Sequence, residues 1–351
     1  MRKEDIESLN DLLYALPFSK SITIISHVNP DGDAIGSSLG LYHFLCQDGH
    51  ENVSVVSPNS YPDFLSWMPG AEKIILASDQ YELAIKAIDD ADIIFCLDFN
   101  DPKRTDNLSE ALIRSKGKKI LIDHHLDPFN EFDLIFSQTN VSSTAELVYE
   151  VISALGKINL LDYDVAQCLY AGIVTDTGSF SYACNSPRTY HIVAELISLG
   201  INGENIQRNI YDTYSEDRMR LLGFCLSERL RVFQDFYTAY IFLSHEDLQR
   251  FHFREGDTEG VVNYALSIKG IKVAAMFIQR DAQIKVSFRS EGDVNVNVLA
   301  RRYFNGGGHK NASGGYCEAS MEQTLAYFES LLVDISAHDF RLLKDDVKDN
   351  D

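Results

Sequence analysis

The chain of 351 residues lacks several features that would assign it to a particular class of protein. No apolar run is long enough to span a bilayer, and the N-terminus, MRKEDIESLNDLLYALPFSK, has no apolar core of the signal-peptide type. The six cysteines are scattered and form no Cys-x-x-Cys pair, which is typical of reduced thiols. Low-complexity tracts and internal repeats are also absent. We therefore expect a soluble protein of the cytoplasm that does not bind membranes.

Basic residues are scarce as well. The chain has 31 Lys and Arg against 52 Asp and Glu, a formal charge of −21. Proteins that track long nucleic acid usually present a basic face, because neutralising the phosphates drives that binding. Long nucleic acid is therefore not an expected partner. Short phosphorylated substrates remain compatible with the charge, since bound cations would reverse the sign of the local field.

What the first half of the chain does contain is a series of short apolar runs separated by helical stretches. The runs are near-continuously apolar, as expected for strands that are covered on both faces. They cover residues 21–27, 52–58, 73–78, 92–99, 118–125 and 133–138. Helical patterns at 34–49 and 81–91 separate several of them and predict an α/β fold with a doubly wound, mainly parallel sheet. In such sheets ligands bind beyond the carboxyl ends of the strands.

The pattern changes after residue 140. Helical patterns cover 142–155, 162–176, 187–199 and 203–231. Strand patterns return at 237–244, 271–280 and 282–290, followed by helices at 294–304 and 320–337. The sequence therefore predicts a smaller second α/β domain with a mixed sheet. The predicted divisions are a first domain over 1–186, a helical connector over 187–225, a second domain over 226–340 and an acidic tail over 341–351.

Four clusters of acidic residues and histidines end structural elements in the first half of the chain. They are HVNPDGDAIGSS with His27, Asp31 and Asp33, CLDFND with Asp98, IDHH with Asp123, His124 and His125, and GIVTDTGSF with Asp176. Three clusters follow predicted strands, so one fold would place them on a common rim, and the fourth ends a helical run. Their imidazoles and carboxylates are enough to hold two divalent cations, which is a device for cutting phosphate esters.

Each cluster taken alone is also compatible with a purely structural role. Asp31 and Asp33 could equally cap the following helix and form an Asx-turn. Asp98 could pair with Arg104 in a salt bridge, and Asp176 could belong to a turn that ends a helix. The consecutive histidines of IDHH are harder to account for without ligands, although a single histidine is more often structural. The joint presence of the clusters in this order favours the metal site.

Together with the distal segment GGGHKNASGG, these clusters resemble the DHH phosphoesterase superfamily, and within it the subfamily with a DHH-associated C-terminal domain that carries a GGGH motif. Five motifs in register carry the resemblance, which extends from about residue 5 to 340. Similar members are the bifunctional oligoribonucleases (nanoRNases) that also dephosphorylate pAp, and phosphodiesterases for cyclic-di-AMP and pApA. One departure is Phe99-Asn100, where smaller residues are expected in many relatives.

The resemblance implies a hydrolase of phosphate ester bonds, a phosphodiesterase or 3′–5′ oligoribonuclease and pAp phosphatase, with two Mn²⁺ ions as cofactors and Mg²⁺ or Co²⁺ as possible substitutes. The ligands that it implies are His27, Asp31 and Asp98 for the first ion, and Asp33, Asp98, His124 and Asp176 for the second. Asp98 would bridge the two ions and a shared water would attack phosphorus. His125 would contact the scissile phosphate, Asp123 would orient a histidine, and Arg104 would lie behind the ligands.

The resemblance also implies where the substrate binds. The first domain would be the DHH catalytic domain, and the second would grip a terminal nucleotide or phosphate, with the active site in the cleft between them. The implied substrate-binding residues are Arg289, Gly306, Gly307, Gly308 and His309, although the glycines alone are also compatible with a flexible turn. The expected substrate is short RNA or pAp, and a homodimer is compatible with the resemblance. The alternatives are a cyclic-di-AMP or pApA phosphodiesterase and an inactive nucleotide-binding regulator.

Overall fold

The chain forms two compact units in the computed structural model, which describes residues 2–14, 20–254, 256–280 and 283–336. The units are Met1–Thr213 and Tyr214–Asp351, and each is an α/β structure. Their division falls inside the segment 187–225 that the sequence predicts as a connector. The bounds of the predicted domains remain a prediction, and the acidic tail, 341–351, lies outside the described residues.

The first unit is built on a six-stranded sheet in which all neighbouring strands run parallel. In chain order the strands are β1 (Ser21–Ile25), β2 (Asn52–Ser57), β3 (Ile75–Leu76), β4 (Ile93–Leu97), β5 (Lys118–Asp123) and β6 (Leu134–Ser137). Their spatial order is β3-β2-β1-β4-β5-β6. The direction of winding therefore reverses between β1 and β4, and a reversal of this kind leaves a crevice for ligands at the carboxyl ends of the strands.

Helices cover both faces of this sheet. They are α1 (Lys3–Tyr14), α2 (Gly32–Gln47), α3 (Ala77–Asp89), α4 (Ser109–Arg114), α5 (Thr144–Ala154), α6 (Tyr163–Asp176), α7 (Pro187–Ser198) and α8 (Gly203–Tyr211). Residues of α1, α2, α5 and α6 form one apolar core with the sheet, and residues of α3 and α4 form another. All five residues of β4 are buried, which accounts for its unbroken apolar sequence. The predicted doubly wound α/β fold is confirmed.

Glycine allows helices α2 and α6 to pack closely. It recurs at every fourth residue along the first half of α2, and Gly36 is the middle one. A Cβ atom at Gly36 would lie 2.6 Å from the carbonyl oxygen of Cys168 and 2.8 Å from the backbone nitrogen of Gly172. Asp33 lies at the start of α2 and Asp176 is the last residue of α6. The close helix contact therefore helps to set the distance between these two acidic residues.

The second unit contains a mixed six-stranded sheet, as predicted. Its strands are β7 (Leu230–Phe233), β8 (Thr238–Leu243), β9 (Val273–Arg280), β10 (Gln283–Ser290), β11 (Gly307–Gly308) and β12 (Ala312–Cys317), in the spatial order β11-β12-β10-β9-β8-β7. Strands β8 and β9 pair in parallel, and the other pairs are antiparallel. Its helices are α9 (Glu216–Phe224), α10 (His245–Arg250), α11 (Val261–Leu266), α12 (Val296–Tyr303) and α13 (Met321–Ser336). Within the described ranges, no helix is long and apolar enough to cross a membrane.

Two segments differ from the sequence-based expectation. The predicted helix over 203–231 is interrupted after Tyr211, and its last residues form strand β7 instead. Residues 230–233 adopt the extended form because they pair with β8, the next strand along the chain, and this pairing outweighs their helical pattern. The glycine-rich segment near residue 306 forms β11 and β12, which pair with each other. Strand pairing therefore decides both segments.

In the second unit, Arg229 fixes the start of α10. Its Nε and Nη2 atoms each donate a hydrogen bond of 2.9 Å to the carboxylate of Asp247, which also accepts the backbone N–H of Ser244. The guanidinium lies over the rings of Phe224 and Phe242. Burial alone would raise the pKa of Asp247, but the hydrogen bonds from Arg229 and Ser244 outweigh it and hold that pKa below its ordinary value.

Candidate metal centre

The carboxyl edge of the first sheet brings together the side chains that are expected to bind cations. They come from the ends of three strands and two helices: His27 after β1, Asp98 after β4, His124 after β5, Asp31 and Asp33 at the start of α2, and Asp176 at the end of α6. They form two groups, and in each group the potential ligand atoms all lie within 4.8 Å of one another. The groups are His27 with Asp31 and Asp98, and Asp33 with His124 and Asp176.

The two groups meet at Asp98. Its Oδ2 atom lies 3.4 Å from Nε2 of His27, and its Oδ1 atom lies 3.6 Å from Nε2 of His124. The same nitrogen of His124 lies 3.4 Å from Oδ2 of Asp176 and 3.8 Å from Oδ2 of Asp33. Each carboxylate oxygen of Asp98 therefore faces a different group. This is the arrangement expected of a carboxylate that bridges two cations.

The backbone around β1 and β4 aims these ligands. Nδ1 of His27 lies 2.9 Å from the carbonyl oxygen of Val28, which can only accept, so Nδ1 carries a proton and Nε2 is the nitrogen that faces Asp98. Asp98 itself has a left-handed φ of +64°, a conformation that Asp, Asn and Gly tolerate better than other residues. Its N–H donates to the carbonyl of Ile122 at 3.2 Å. The strand ends abruptly at this residue, which turns the carboxylate into the site.

Asp31 caps the following helix, as the structural alternative for these residues expects, but Asp33 does not. Asp31 is the N-cap of α2, where its Oδ1 accepts the N–H groups of Asp33 and Ala34 at 3.1 and 3.0 Å. The helix-cap interpretation is therefore correct for Asp31, which caps α2 and also lies in the first group of ligands. Asp33 does not cap this helix, because its two oxygens accept the backbone N–H groups of Thr144 and Ala145 at 2.6 and 2.8 Å.

His125 is held between Asp123 and Arg104. Its Nδ1 lies 2.7 Å from Oδ1 of Asp123, and its Nε2 lies 3.1 Å from Nη1 of Arg104. A guanidinium can only donate, so Nε2 accepts and Nδ1 donates to Asp123. Arg104 therefore contacts His125. Among the residues that the structure describes, Asp98 lies near histidines and forms no ion pair with Arg104. Asp123 is fully buried, and its Oδ2 has no hydrogen-bond partner within the same residues.

Burial and like charges act together on Asp33, which is 1% exposed. Burial first, and then the charges of Asp98 and Asp176, raise the pKa of Asp33 well above its ordinary value. The N–H of Ala145 acts in the opposite direction. A bound cation would also favour the ionised form of this carboxylate.

Histidines keep Asp98 ionised. Burial alone would raise the pKa of Asp98, but the neighbouring imidazoles, His27 first among them, outweigh it, and that pKa lies far below its ordinary value. The pKa of His27 and that of His124 are raised in turn, because neighbouring carboxylates more than offset the effect of burial. These histidines attract protons, and a divalent cation bound at the same place would displace those protons.

The donor set fits divalent cations. Carboxylate oxygens combined with imidazole nitrogens suit Mn²⁺ and related ions. The separations of 3.4–3.8 Å between imidazole nitrogens and carboxylate oxygens are longer than good hydrogen bonds. Two ligands that each lie roughly 2.1 Å from one ion at octahedral or tetrahedral angles are about 3.0–3.4 Å apart. The observed separations therefore leave room for an ion between the ligands after small adjustments.

The residues expected to bind substrate lie in the second unit. Arg289, which is half-buried, is the second-last residue of β10, and Gly307–Gly308 form β11, followed by His309. Strand β12 pairs with both β10 and β11, so all of these residues lie at one side of the second sheet. A Cβ atom at Gly306 would lie 1.9 Å from the carbonyl oxygen of Gly314, so strand pairing by itself requires glycine there. The phosphate-binding role of this segment remains a prediction.

Thr144 is a neighbour of the site that the sequence did not reveal. Its hydroxyl donates a hydrogen bond of 2.9 Å to Oδ1 of Asp98. It is the first residue of α5, directly after the N-cap Ser143, whose hydroxyl accepts the N–H of Glu146. Ser143 and Glu146 have the spacing of a capping box, which could have located the start of this helix. A helix start attracts carboxylates, but the sequence does not indicate which ones.

Comparisons with known proteins agree with this geometry. Residues 21–173 match the profile of the DHH family, N-terminal domain, and residues 238–334 match that of the DHHA1 domain. The bifunctional oligoribonuclease and PAP phosphatase NrnA of Bacillus subtilis is 29% identical over 332 residues, which cover 92% of this chain and 97% of the relative. The protein of that name from Thermus thermophilus is 30% identical over 296 residues, covering 84% and 83%. The cyclic-di-AMP phosphodiesterase PdeA of Listeria monocytogenes is 28% identical over 302 residues, covering 83% and 44%.

Solved structures show the same likeness. An exopolyphosphatase-related protein from Bacteroides fragilis is 43% identical with a TM-score of 0.90, and the match covers 95% of this chain and 97% of that one. RecJ from Thermus thermophilus, solved in complex with Mn²⁺, is 13% identical with a TM-score of 0.55, and the match covers 95% of this chain and 54% of RecJ. The likeness to RecJ extends to the fold.

Proposed function

Because the chain belongs to the DHH family and is a phosphoesterase of the hydrolase class, we propose that it hydrolyses short oligoribonucleotides and the nucleotide pAp. The observation that carries this proposal is the convergence of two groups of candidate ligands that meet at Asp98. The likeness to relatives named oligoribonuclease and PAP phosphatase, which extends over 97% of the Bacillus subtilis protein, supports the choice of substrate.

The proposed cofactors are two Mn²⁺ ions, with Mg²⁺ or Co²⁺ as substitutes. Cations at these positions would lower the pKa of a shared water towards neutrality and neutralise charge on the phosphate. His27 and Asp31 would hold the first ion, and Asp33, His124 and Asp176 the second. Asp98 would bind both, because its two oxygens already face the two groups.

The residues beside the ligands have proposed roles in holding the substrate. Asp123 keeps the imidazole of His125 in one orientation through a 2.7 Å hydrogen bond. Arg104 uses one N–H to contact His125, and a guanidinium has further N–H donors that suit phosphate oxygens. We propose that His125 and Arg104 contact the scissile phosphate or its leaving oxygen.

The second unit is proposed to bind the end of the substrate. Arg289 would pair with a terminal phosphate, and Gly306, Gly307 and Gly308 would let backbone amides approach it. His309 follows directly on this segment. A grip on one end, combined with a charge of −21, favours a short substrate over long nucleic acid. A cytoplasmic location and a homodimer belong to the same proposal.

Asp98→Asn tests the proposal. Asn keeps the size of the side chain and tolerates the left-handed backbone at this position, so the fold should persist while the bridging charge is lost. We expect Mn²⁺-dependent turnover of 5′-labelled di- to pentanucleotides and of pAp to fall at least about 100-fold. Glu110→Gln, at an exposed residue of α4, is the matched control and should keep full activity. Undiminished turnover by Asp98→Asn would contradict the two-cation assignment.

A second candidate function is supported by the likeness to the Listeria monocytogenes phosphodiesterase. The same ligands would serve cyclic-di-AMP or pApA, so the substrate has to be identified by experiment. Side-by-side turnover of short RNA, pAp, pApA and cyclic-di-AMP at equal concentrations decides between them, since the preferred substrate should have the highest kcat/KM. An inactive regulator is disfavoured, because every expected ligand position holds a competent side chain and these side chains converge.

A further inference from the structure

Thr144 contacts both groups of candidate ligands. Its hydroxyl donates to Oδ1 of Asp98 at 2.9 Å, and its backbone N–H donates to Oδ2 of Asp33 at 2.6 Å. Asp98 belongs to the group with His27, and Asp33 belongs to the group with His124. One residue therefore touches a carboxylate of each group, although the two carboxylates lie 65 positions apart in the sequence.

The hydroxyl fixes the rotation of the Asp98 carboxylate. The torsion that turns this carboxylate is soft, so the rotamer alone does not decide which way each oxygen points. An ionised carboxylate only accepts, and the hydroxyl of Thr144 therefore donates to it. With Oδ1 held by Thr144 on the side of His124, Oδ2 is left facing His27. Thr144 and Asp98 are 0% and 2% exposed, so bulk water cannot replace the hydroxyl.

The first turn of α5 is itself rigid. Glu146 is 2% exposed, and its Oε2 accepts the backbone N–H of Ser142 at 3.1 Å and the hydroxyl of Thr189 at 2.8 Å. The hydroxyl of Ser143 accepts the N–H of Glu146 at 3.0 Å. These contacts tie the start of α5 to the loop before it and to α7. Thr144 is thus held in place by groups that do not touch the candidate ligands.

We propose that Thr144 is a positioning residue that sets the register between the two cation sites, and that its hydroxyl is required for the second cation to bind tightly. The inference rests on the proposed two-cation function. Loss of the hydroxyl would free Oδ1 of Asp98, which is the oxygen that faces His124. The backbone N–H to Asp33 and the contact between Asp98 and His27 would both remain. The second site, formed by Asp33, His124 and Asp176, should therefore weaken more than the first.

The test uses Thr144→Val, which keeps the shape of the side chain, and Thr144→Ser, which restores the hydroxyl. Thr144→Ala is measured in parallel, so that a folded protein without the hydroxyl is available if valine disturbs the packing. The matched control is Thr23→Val. Thr23 is equally buried in β1 and donates one hydrogen bond of 2.7 Å to the carbonyl of Ala87. This control loses a comparable hydrogen bond away from the site.

Full-length protein stripped of metal is titrated with Mn²⁺ by calorimetry, and the loaded samples are measured by electron paramagnetic resonance. Wild type and Thr23→Val should bind two ions and give the spectrum of a magnetically coupled pair. Thr144→Val and Thr144→Ala should bind the second ion about 10- to 100-fold more weakly and, at equal loading, give the spectrum of isolated ions. Thr144→Ser should restore the second site and the coupled spectrum.

The outcomes separate this inference from the proposed function. If wild type binds fewer than two ions, the two-cation function fails whatever the variants do. If wild type binds two ions and Thr144→Val binds them equally well with the coupled spectrum, the role of Thr144 is wrong and the function stands. A Thr144→Ser protein as impaired as Thr144→Val would also overturn the inference, because the hydroxyl would then not be the group that matters.

Discussion

Gly36→Ala tests whether the contact between α2 and α6 supports the candidate centre. The added Cβ would lie 2.6 Å from the carbonyl oxygen of Cys168, about 0.8 Å inside the 3.4 Å at which ordinary contact begins. It would also lie 2.8 Å from the backbone nitrogen of Gly172. Both neighbours are backbone atoms of α6, so no side chain can rotate away. The two helices have to separate, and Asp33 moves relative to Asp176.

The expected cost follows from two opposing effects. Overpacking a buried contact typically costs about 1–3 kcal/mol, and a clash with backbone belongs at the upper end of that range. Alanine in place of glycine inside a helix returns up to about 1 kcal/mol. We expect a net loss of about 2 kcal/mol in the free energy of unfolding of the first unit. For a unit of this size the melting temperature should fall by roughly 4–8 °C.

The assay is thermal and urea unfolding of the full chain, followed by Mn²⁺ titration of the folded protein. Gly36→Ala should bind Mn²⁺ about 10-fold more weakly, because a shift of tenths of an ångström disturbs the ligand geometry. Gly223→Ala is the matched control, since a Cβ at Gly223 in α9 meets nothing within 4 Å. That control should be as stable as wild type or up to about 1 kcal/mol more stable. A Gly36→Ala protein with unchanged stability and Mn²⁺ affinity would refute the reasoning.

Three further predictions concern substrate binding, stability in acid and stabilisation by Mn²⁺. Arg289→Ala should raise KM for short RNA and pAp while kcat changes little, because the substitution removes a binding contact and leaves the reacting groups in place. Steady-state kinetics measure both constants, and a fall in kcat alone would contradict this role. Asp247→Asn should cost about 1–3 kcal/mol near neutral pH through its lost bonds with Arg229. The pKa of Asp247 is lower in the folded protein than in the unfolded chain, where it is about 3.9. The ionised carboxylate therefore stabilises the folded protein above the unfolded pKa, and this stabilisation is lost as the pH falls through the folded pKa. Urea unfolding between about pH 2.5 and about pH 7 should therefore show that acid lowers the free energy of unfolding less in Asp247→Asn than in wild type. Asp235→Asn, at an exposed residue, is the control. An equal dependence of that free energy on pH in wild type and Asp247→Asn would contradict the pairing with Arg229. Adding Mn²⁺ at about 100 times its Kd to metal-stripped protein should stabilise the first unit by about 2.7 kcal/mol for each ion bound, as measured by calorimetry, and an unchanged transition would argue against a preformed site.

The sequence predicts the first sheet well because its strands are covered on both faces. An unbroken apolar run such as 92–99 is typical of a buried strand, and its end places Asp98 at the carboxyl edge. The order of the motifs then gathers the candidate ligands on one edge. The second sheet is less predictable, because β7 owes its form to pairing with β8, and β12 to pairing with β10. Local propensity does not determine such pairing.

Within the site, the sequence predicts candidate ligands but not the residues that support them. Asp31 and Asp33 are two positions apart and chemically alike, yet one caps α2 and the other accepts from α5. The partner of Arg104 is His125 instead of Asp98, a choice that depends on where residues 102–108 fold. Thr144 looks like an ordinary helix start until the fold brings it to Asp98. Contacts between distant segments are decided in three dimensions, and a single sequence does not reveal them.

The left-handed backbone at Asp98 has a consequence for descendants of this chain. Two independent demands meet at this position: the proposed bridging role needs a carboxylate, and the backbone needs a residue that accepts a positive φ. If a lineage gave up hydrolysis, drift here would still be confined mainly to Asp, Asn and Gly, because most replacements would strain the turn after β4. An aspartate retained at this position in a distant homologue is therefore weak evidence that the homologue is still an active enzyme. The histidines of the site are freer to change, so their retention is stronger evidence of activity.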